Sequence, residues 1–102
     1  MPNMPPSRGY RLLPAARQDL ENIWRYSFET WSLKQADDYQ RQLVDTFSAL
    51  ATGRKRGRDL RVIRPGYFSV ICNSHCIFYR HVETGILVVR VLHQRMDPMR
   101  HL

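Results

Sequence analysis

The apolar period changes once along this chain of 102 residues, and that change limits the folds open to it. Between Ala15 and Gly53 apolar side chains recur every three or four positions, as on one face of a helix. From Tyr67 onward the apolar residues fall in short continuous runs broken by turn residues, as strands do. Ala16, Leu20, Ile23, Trp24, Ser27 and Trp31 share the face of a first helix, which Pro14 suits at its first turn. Ser32 and Gln35 form a capping-box signature for a second helix. Its face carries Leu33, Ala36, Gln40, Leu43, Phe47 and Leu50, and Gly53 ends it. The connection at Trp31-Ser32 is short enough to fold the two helices into an antiparallel hairpin.

Three strands are predicted over Tyr67–Cys72, His75–Val82 and Ile86–His93. Asn73-Ser74 and Glu83-Thr84-Gly85 are hairpin connections. Tyr10–Leu13 reads as a short strand ahead of the helices, and Met96–Leu102 as a closing helical turn. The order β-α-α-β-β-β is an α+β fold: a largely antiparallel twisted sheet with a helical hairpin on one face. Residues 1–8, rich in proline, read as a flexible tail and residues 9–102 as a single domain. Trp24, Trp31, Tyr26, Tyr39 and Phe47 lie at helical spacing and read as core and inter-helix packing. Arg17/Glu21, Glu21/Arg25 and Asp37/Arg41 are spaced as surface ion pairs.

Charge is divided unevenly. Residues 1–53 hold six basic and six acidic side chains, so the net charge of +7 lies in residues 54–102. Part of it sits inside apolar runs, as Arg80 after Ile77-Phe78-Tyr79 and Arg90 between Val89 and Val91. A charge buried without a partner is costly, so these positions point to a surface met by something acidic or polar. The pI near 10.1 favours polyanionic partners: nucleic acid, a nucleoprotein or an acidic protein. No run approaches the length needed to cross a membrane. The N-terminus lacks the apolar core of a secretory signal, and two cysteines then suit a reducing cytosol.

Three clusters carry candidate chemistry. The segment Arg54–Arg64 holds Arg54, Lys55, Arg56, Arg58, Arg61 and Arg64 against Asp59 alone. It reads either as a phosphate or acidic-partner contact or as a solvated loop. Arg80, Arg90, His93 and Arg95 gather on the last two strands. As an RNA-cleaving site, Arg80 and Arg90 would neutralise phosphate while His93 served as general acid or base. The bland alternative pairs the arginines with Asp97, Glu83 or helix carboxylates. Cys72, His75 and Cys76 surround one turn, but a two-residue turn puts the cysteines on opposite faces and no fourth ligand is evident, so no metal is expected. No Walker A, GxGxxG, GxSxG or HExxH pattern occurs, and no cofactor is expected.

Arg64-Pro65-Gly66-Tyr67, Ser74–Arg80 and Val88–Asp97, with Tyr10-Arg11-Leu12, Pro14-Ala15-Ala16, Asp19-Leu20 and Ile23-Trp24 near the start, resemble the ParE toxin family of the RelE/ParE superfamily. The resemblance runs over residues 10–102, and the element order read above is that family's. It implies a plasmid-stabilising type II toxin, cytoplasmic, held in a hetero-oligomer by a ParD-like antitoxin and acting on DNA gyrase without catalysis. The RelE branch implies the alternative, ribosome-dependent mRNA cleavage with Arg80, Arg90 and His93 as its residues. For contact with target or antitoxin the expected residues are Arg54, Arg58, Arg61, Arg64, Arg80, Arg90, His93 and Arg95. Direct nucleic-acid binding is compatible with either reading.

Overall fold

A computed structural model describes residues 9–102; the tail assigned to residues 1–8 lies outside the described residues. Strand β1 (Gly9–Leu12) leads into helix α1 (Pro14–Thr30), and helix α2 (Leu33–Ala51) follows after two residues. Strands β2 (Arg58–Asp59), β3 (Phe68–Cys72), β4 (His75–Val82) and β5 (Gly85–His93) complete the sheet, and a 3-10 turn spans Pro98–Arg100. The sheet order is β1-β5-β4-β3-β2. Pairing is antiparallel except for β1, which runs parallel to β5. The chain must cross the sheet to achieve that pairing, and the helical hairpin is the crossover.

Local chemistry sets the boundaries. Pro14 opens α1 behind an extended Leu13. The Ser32 hydroxyl accepts the Gln35 N–H at 3.0 Å and caps α2. Beyond Ala51, Gly53 donates back to the Leu50 carbonyl. The helix-side core joins Ala16, Leu20, Leu43, Phe47 and Leu50 to Ile77, Tyr79, Ile86, Val88 and Val91. Each fully buried side chain of this size contributes about 1.5–3 kcal/mol. A second cluster of Leu60, Phe78 and Leu92 lies apart from it, with Tyr67, Cys76 and Leu102 packed around it. It belongs to the sheet face turned from the helices, since Phe78 alternates with Ile77 and Tyr79 along β4.

One irregularity shapes β5. Phe78 pairs with Arg90 but Tyr79 pairs with Val88, so Val89 is an extra residue in the ladder. This bulge lets Val88 and Val91, three positions apart, both join the helix-side core.

Several sequence expectations are corrected. Trp31 and Tyr26 are each 66% exposed and Leu33 is 54% exposed, so none of the three is core. They lie at the α1–α2 turn and on the turn of helix before it. A two-residue strand, β2, lies within the basic segment for which no strand was expected. Among the described residues, the pairs Arg17/Glu21, Glu21/Arg25 and Asp37/Arg41 do not form. Asp37 instead accepts from the Trp24 indole at 3.0 Å, and Arg41 meets Asp38 at 3.3 Å. Exposed pairs of this kind are worth so little that any nearby acceptor redirects them.

Candidate functional site

The expected site residues gather at two places, apart from Arg90, which the fold itself holds. Arg90 donates from Nε and Nη2 to the two carboxylate oxygens of Asp19, both at 2.8 Å. Asp19 also accepts the Val91 N–H at 2.9 Å, and Arg90 Nη1 reaches the His101 carbonyl at 3.3 Å. The side chains are 21% and 11% exposed, and the carboxylate holds the guanidinium above its ordinary pKa range. Beyond Leu12↔Val88 strand β1 ends, leaving the far side of β5 without a neighbour. Asp19, one turn into α1, takes up that edge. The helix-carboxylate alternative therefore describes Arg90 in this structure: its guanidinium is paired with Asp19.

The first place is a groove of about 890 Å³ between the turn end of the hairpin and the sheet. Ile23, Tyr26 and Trp31 line one wall, Tyr39 and Gln42 another, and His75 and His93 the floor. The ladder pairs His75 with His93, and their rings meet edge to face with centroids 5.4 Å apart. Tyr39 Oη donates to the Cys72 carbonyl at 3.1 Å and lies 2.7 Å from His75 Nδ1. A phenol has one proton, so this network assigns the Nδ1–H tautomer to His75, donating to the phenolic oxygen. Burial pulls the His75 pKa below its ordinary 6.5, and the His93 charge pulls it further. His93 is exposed, and its Nδ1 accepts the Arg95 N–H at 3.2 Å.

The second place is basic. The loop Leu60–Tyr67 is closed by the Leu60 N–H donating to the Tyr67 carbonyl at 2.9 Å. Inside it, Arg64 N–H donates to the Leu60 carbonyl at 2.7 Å. The Arg64 and Arg80 guanidinium carbons stand 5.0 and 5.5 Å from the Tyr67 ring centre. Arg61 is paired with Asp59 at 2.9 Å, and Arg54 Nε donates to the Thr52 hydroxyl at 3.1 Å. Arg58, on β2, and Arg95 are exposed. The buried Tyr79 fixes the near end of the segment, its hydroxyl accepting the Gly57 N–H at 2.8 Å.

His93 thus lines the groove, Arg80 packs on Tyr67 and Arg90 pairs with Asp19, so the three side chains are held by different neighbours. The cysteines part as expected: Cys72 packs on the helix-side core and Cys76 on the other cluster. Burial pushes the Cys76 thiol up, away from a reactive thiolate. Among the described residues no group of three or more His, Cys, Asp or Glu side chains is gathered for a metal. Sequence reasoning passed over Asp19 and Tyr39 as site residues and weighed His75 only as a metal ligand beside the cysteines. Cross-strand register alone could have found His75, because it sits opposite His93. Nothing local marks Asp19, which lies 71 residues from its partner.

The chain matches the family profile "ParE toxin of type II toxin–antitoxin system, parDE" over residues 10–98. It is 43% identical to Toxin ParE1 of Mycobacterium tuberculosis, over 94% of this chain and 99% of that one. It is 40% identical to Toxin ParE1 of Caulobacter vibrioides, over 91% and 96%. Toxin ParE of Escherichia coli shares 32% identity over 91% of each. Among solved structures, the chromosomal ParDE system from P. aeruginosa superposes with a TM-score of 0.70 at 16% identity, covering 83% of this chain and 94% of that one. The toxin–antitoxin complex RelBE2 from Mycobacterium tuberculosis gives 0.51 at 22% identity, over 84% and 96%. Those two likenesses bear on the fold, and the relatives on descent: this chain belongs to the ParE family of type II toxin–antitoxin toxins.

Proposed function

We propose that this toxin inhibits DNA gyrase by binding it, in the cytoplasm, and that a ParD-like antitoxin silences it by occupying the groove at the end of the helical hairpin. The observation that carries this reading is the exposure of Tyr26 and Trp31 beside a groove floored by His75 and His93. Large aromatic side chains held open to solvent around a concave surface are what an amphipathic helix buries on docking. An antitoxin segment that orders on binding needs such apolar area to offset the entropy it loses.

The non-catalytic reading draws support from the same geometry. Metal-free phosphodiester cleavage needs an activator of the nucleophile and a cation for the phosphate within reach of one another. Here His93 faces the groove, Arg80 stands on Tyr67, and Arg90 is held by Asp19. The test adds purified toxin to a gyrase supercoiling assay and, separately, to ribosomes translating a message. Loss of supercoiling with intact transcripts, reversed by the antitoxin, is the expected result. Cut transcripts with normal supercoiling would replace this reading with the RelE-like one.

A further inference from the structure

We propose that Arg64 and Arg80, held on Tyr67, form a phosphate clamp through which this toxin grips duplex DNA directly. Two like charges share one aromatic ring, each within 5.5 Å of its centre. Among the described residues neither is paired with a carboxylate; the four ion pairs involve other cations. The attraction to the ring offsets part of their mutual repulsion and leaves their N–H donors for an anion.

The clamp is built rather than incidental. Gly66 takes up a left-handed φ of +85°, and its Cβ position lies 3.7 Å from Arg80 Nη2, ordinary contact distance, so the turn runs alongside the guanidinium. The closed loop holds Arg64 beside it, with Tyr67 N–H donating to the Arg64 carbonyl at 3.2 Å. Arg58 and the further basic residues of the segment extend the same charge along the chain.

Nucleic acid fits this surface better than an acidic peptide. The apolar cluster beneath it is covered, with Leu60, Phe78 and Leu92 at 8%, 4% and 2% exposure. On the loop itself the exposed apolar side chains are the neighbours Val62 and Ile63. A peptide that orders on docking needs buried apolar area in return, whereas a duplex arrives ordered and offers phosphates. Both cations already engage the Tyr67 ring, so it is poorly placed to stack on a base. Contacts of this kind position a protein on the backbone and carry no sequence information.

The test measures anisotropy of labelled duplexes of two unrelated sequences with the full-length toxin, across a series of salt concentrations. Gyrase is absent, so the outcome is independent of whether gyrase is the target. Wild-type protein binds both duplexes alike, with log affinity falling linearly in log salt. Arg64→Gln and Arg80→Gln each flatten that slope by about 0.9 and weaken binding about tenfold near 0.1 M salt. Arg41→Gln, on the helices and paired with Asp38, changes neither, and thermal melts verify that all variants are folded. An unchanged slope in the clamp variants, no duplex binding by wild type at low salt, or equal affinity for polyglutamate of matched charge would each overturn the proposal.

Discussion

Replacing Asp19 with alanine removes three acceptor contacts at once: two to Arg90 at 2.8 Å and one to the Val91 N–H at 2.9 Å. Arg90 then keeps a charge at a site only 21% exposed, with the His101 carbonyl as its remaining partner. Removing one member of a largely buried pair costs about 3–5 kcal/mol when the other charge is trapped. Since Arg90 retains some water, the lower end applies, about 3 kcal/mol, or about 15 °C in Tm for a domain of this size. The assay is urea unfolding of wild type, Asp19→Ala, Arg90→Met and the double variant. The double variant leaves no orphaned guanidinium, so its loss falls short of the summed single losses by about 2 kcal/mol. Additivity within about 0.5 kcal/mol, or a loss below about 1 kcal/mol for Asp19→Ala, would refute the assignment of this pair as the tie between α1 and the free edge of β5.

Other outcomes follow from the same geometry. Trp31→Ala and Tyr26→Ser leave stability within about 0.5 kcal/mol, both residues being exposed, yet weaken antitoxin binding by about 2 kcal/mol in calorimetry if they anchor its helix. Gly85→Ala destabilises by about 3 kcal/mol or more in thermal melts, because φ is +140° and the new Cβ would lie 1.8 Å from the Gly9 carbonyl oxygen, prising β1 from β5. His75 has its pKa lowered on folding, so the unfolded chain binds the proton more readily: its contribution to stability is intact above the ordinary value of 6.5 and declines as pH falls below it toward the folded value. His75→Gln flattens that part of the Tm–pH curve, and a curve unchanged by the substitution would count against the burial argument.

Much of the fold was legible because its punctuation is local. Ser32 with Gln35, Gly53 and Asn73-Ser74 each act within a few residues and fell where expected, and the second hairpin turns at Glu83-Thr84, with Gly85 already the first residue of β5. The helical period misled at Tyr26, Trp31 and Leu33, which stand exposed at the turn end of the hairpin beside the groove. Period shows which side of a helix is apolar, not which of those side chains a neighbour covers. The parallel pairing of β1 with β5, the bulge at Val89 and the Asp19–Arg90 tie depend on contacts distant in sequence, which no local signal encodes. The basic cluster was visible as composition, but its internal arrangement was not. Arg61 is occupied by Asp59 and Arg90 by Asp19, whereas Arg64 and Arg80 stand together on Tyr67.

The central claim is that this toxin acts by occupying its target, and the dose dependence of gyrase inhibition tests it most directly. Supercoiling should be measured against the molar ratio of toxin to gyrase, with gyrase well above the dissociation constant. Occupancy predicts activity falling in proportion to toxin added and reaching its floor near the binding stoichiometry. Complete loss of supercoiling at toxin levels far below one per gyrase, deepening with time of incubation, would mean turnover and contradict the account.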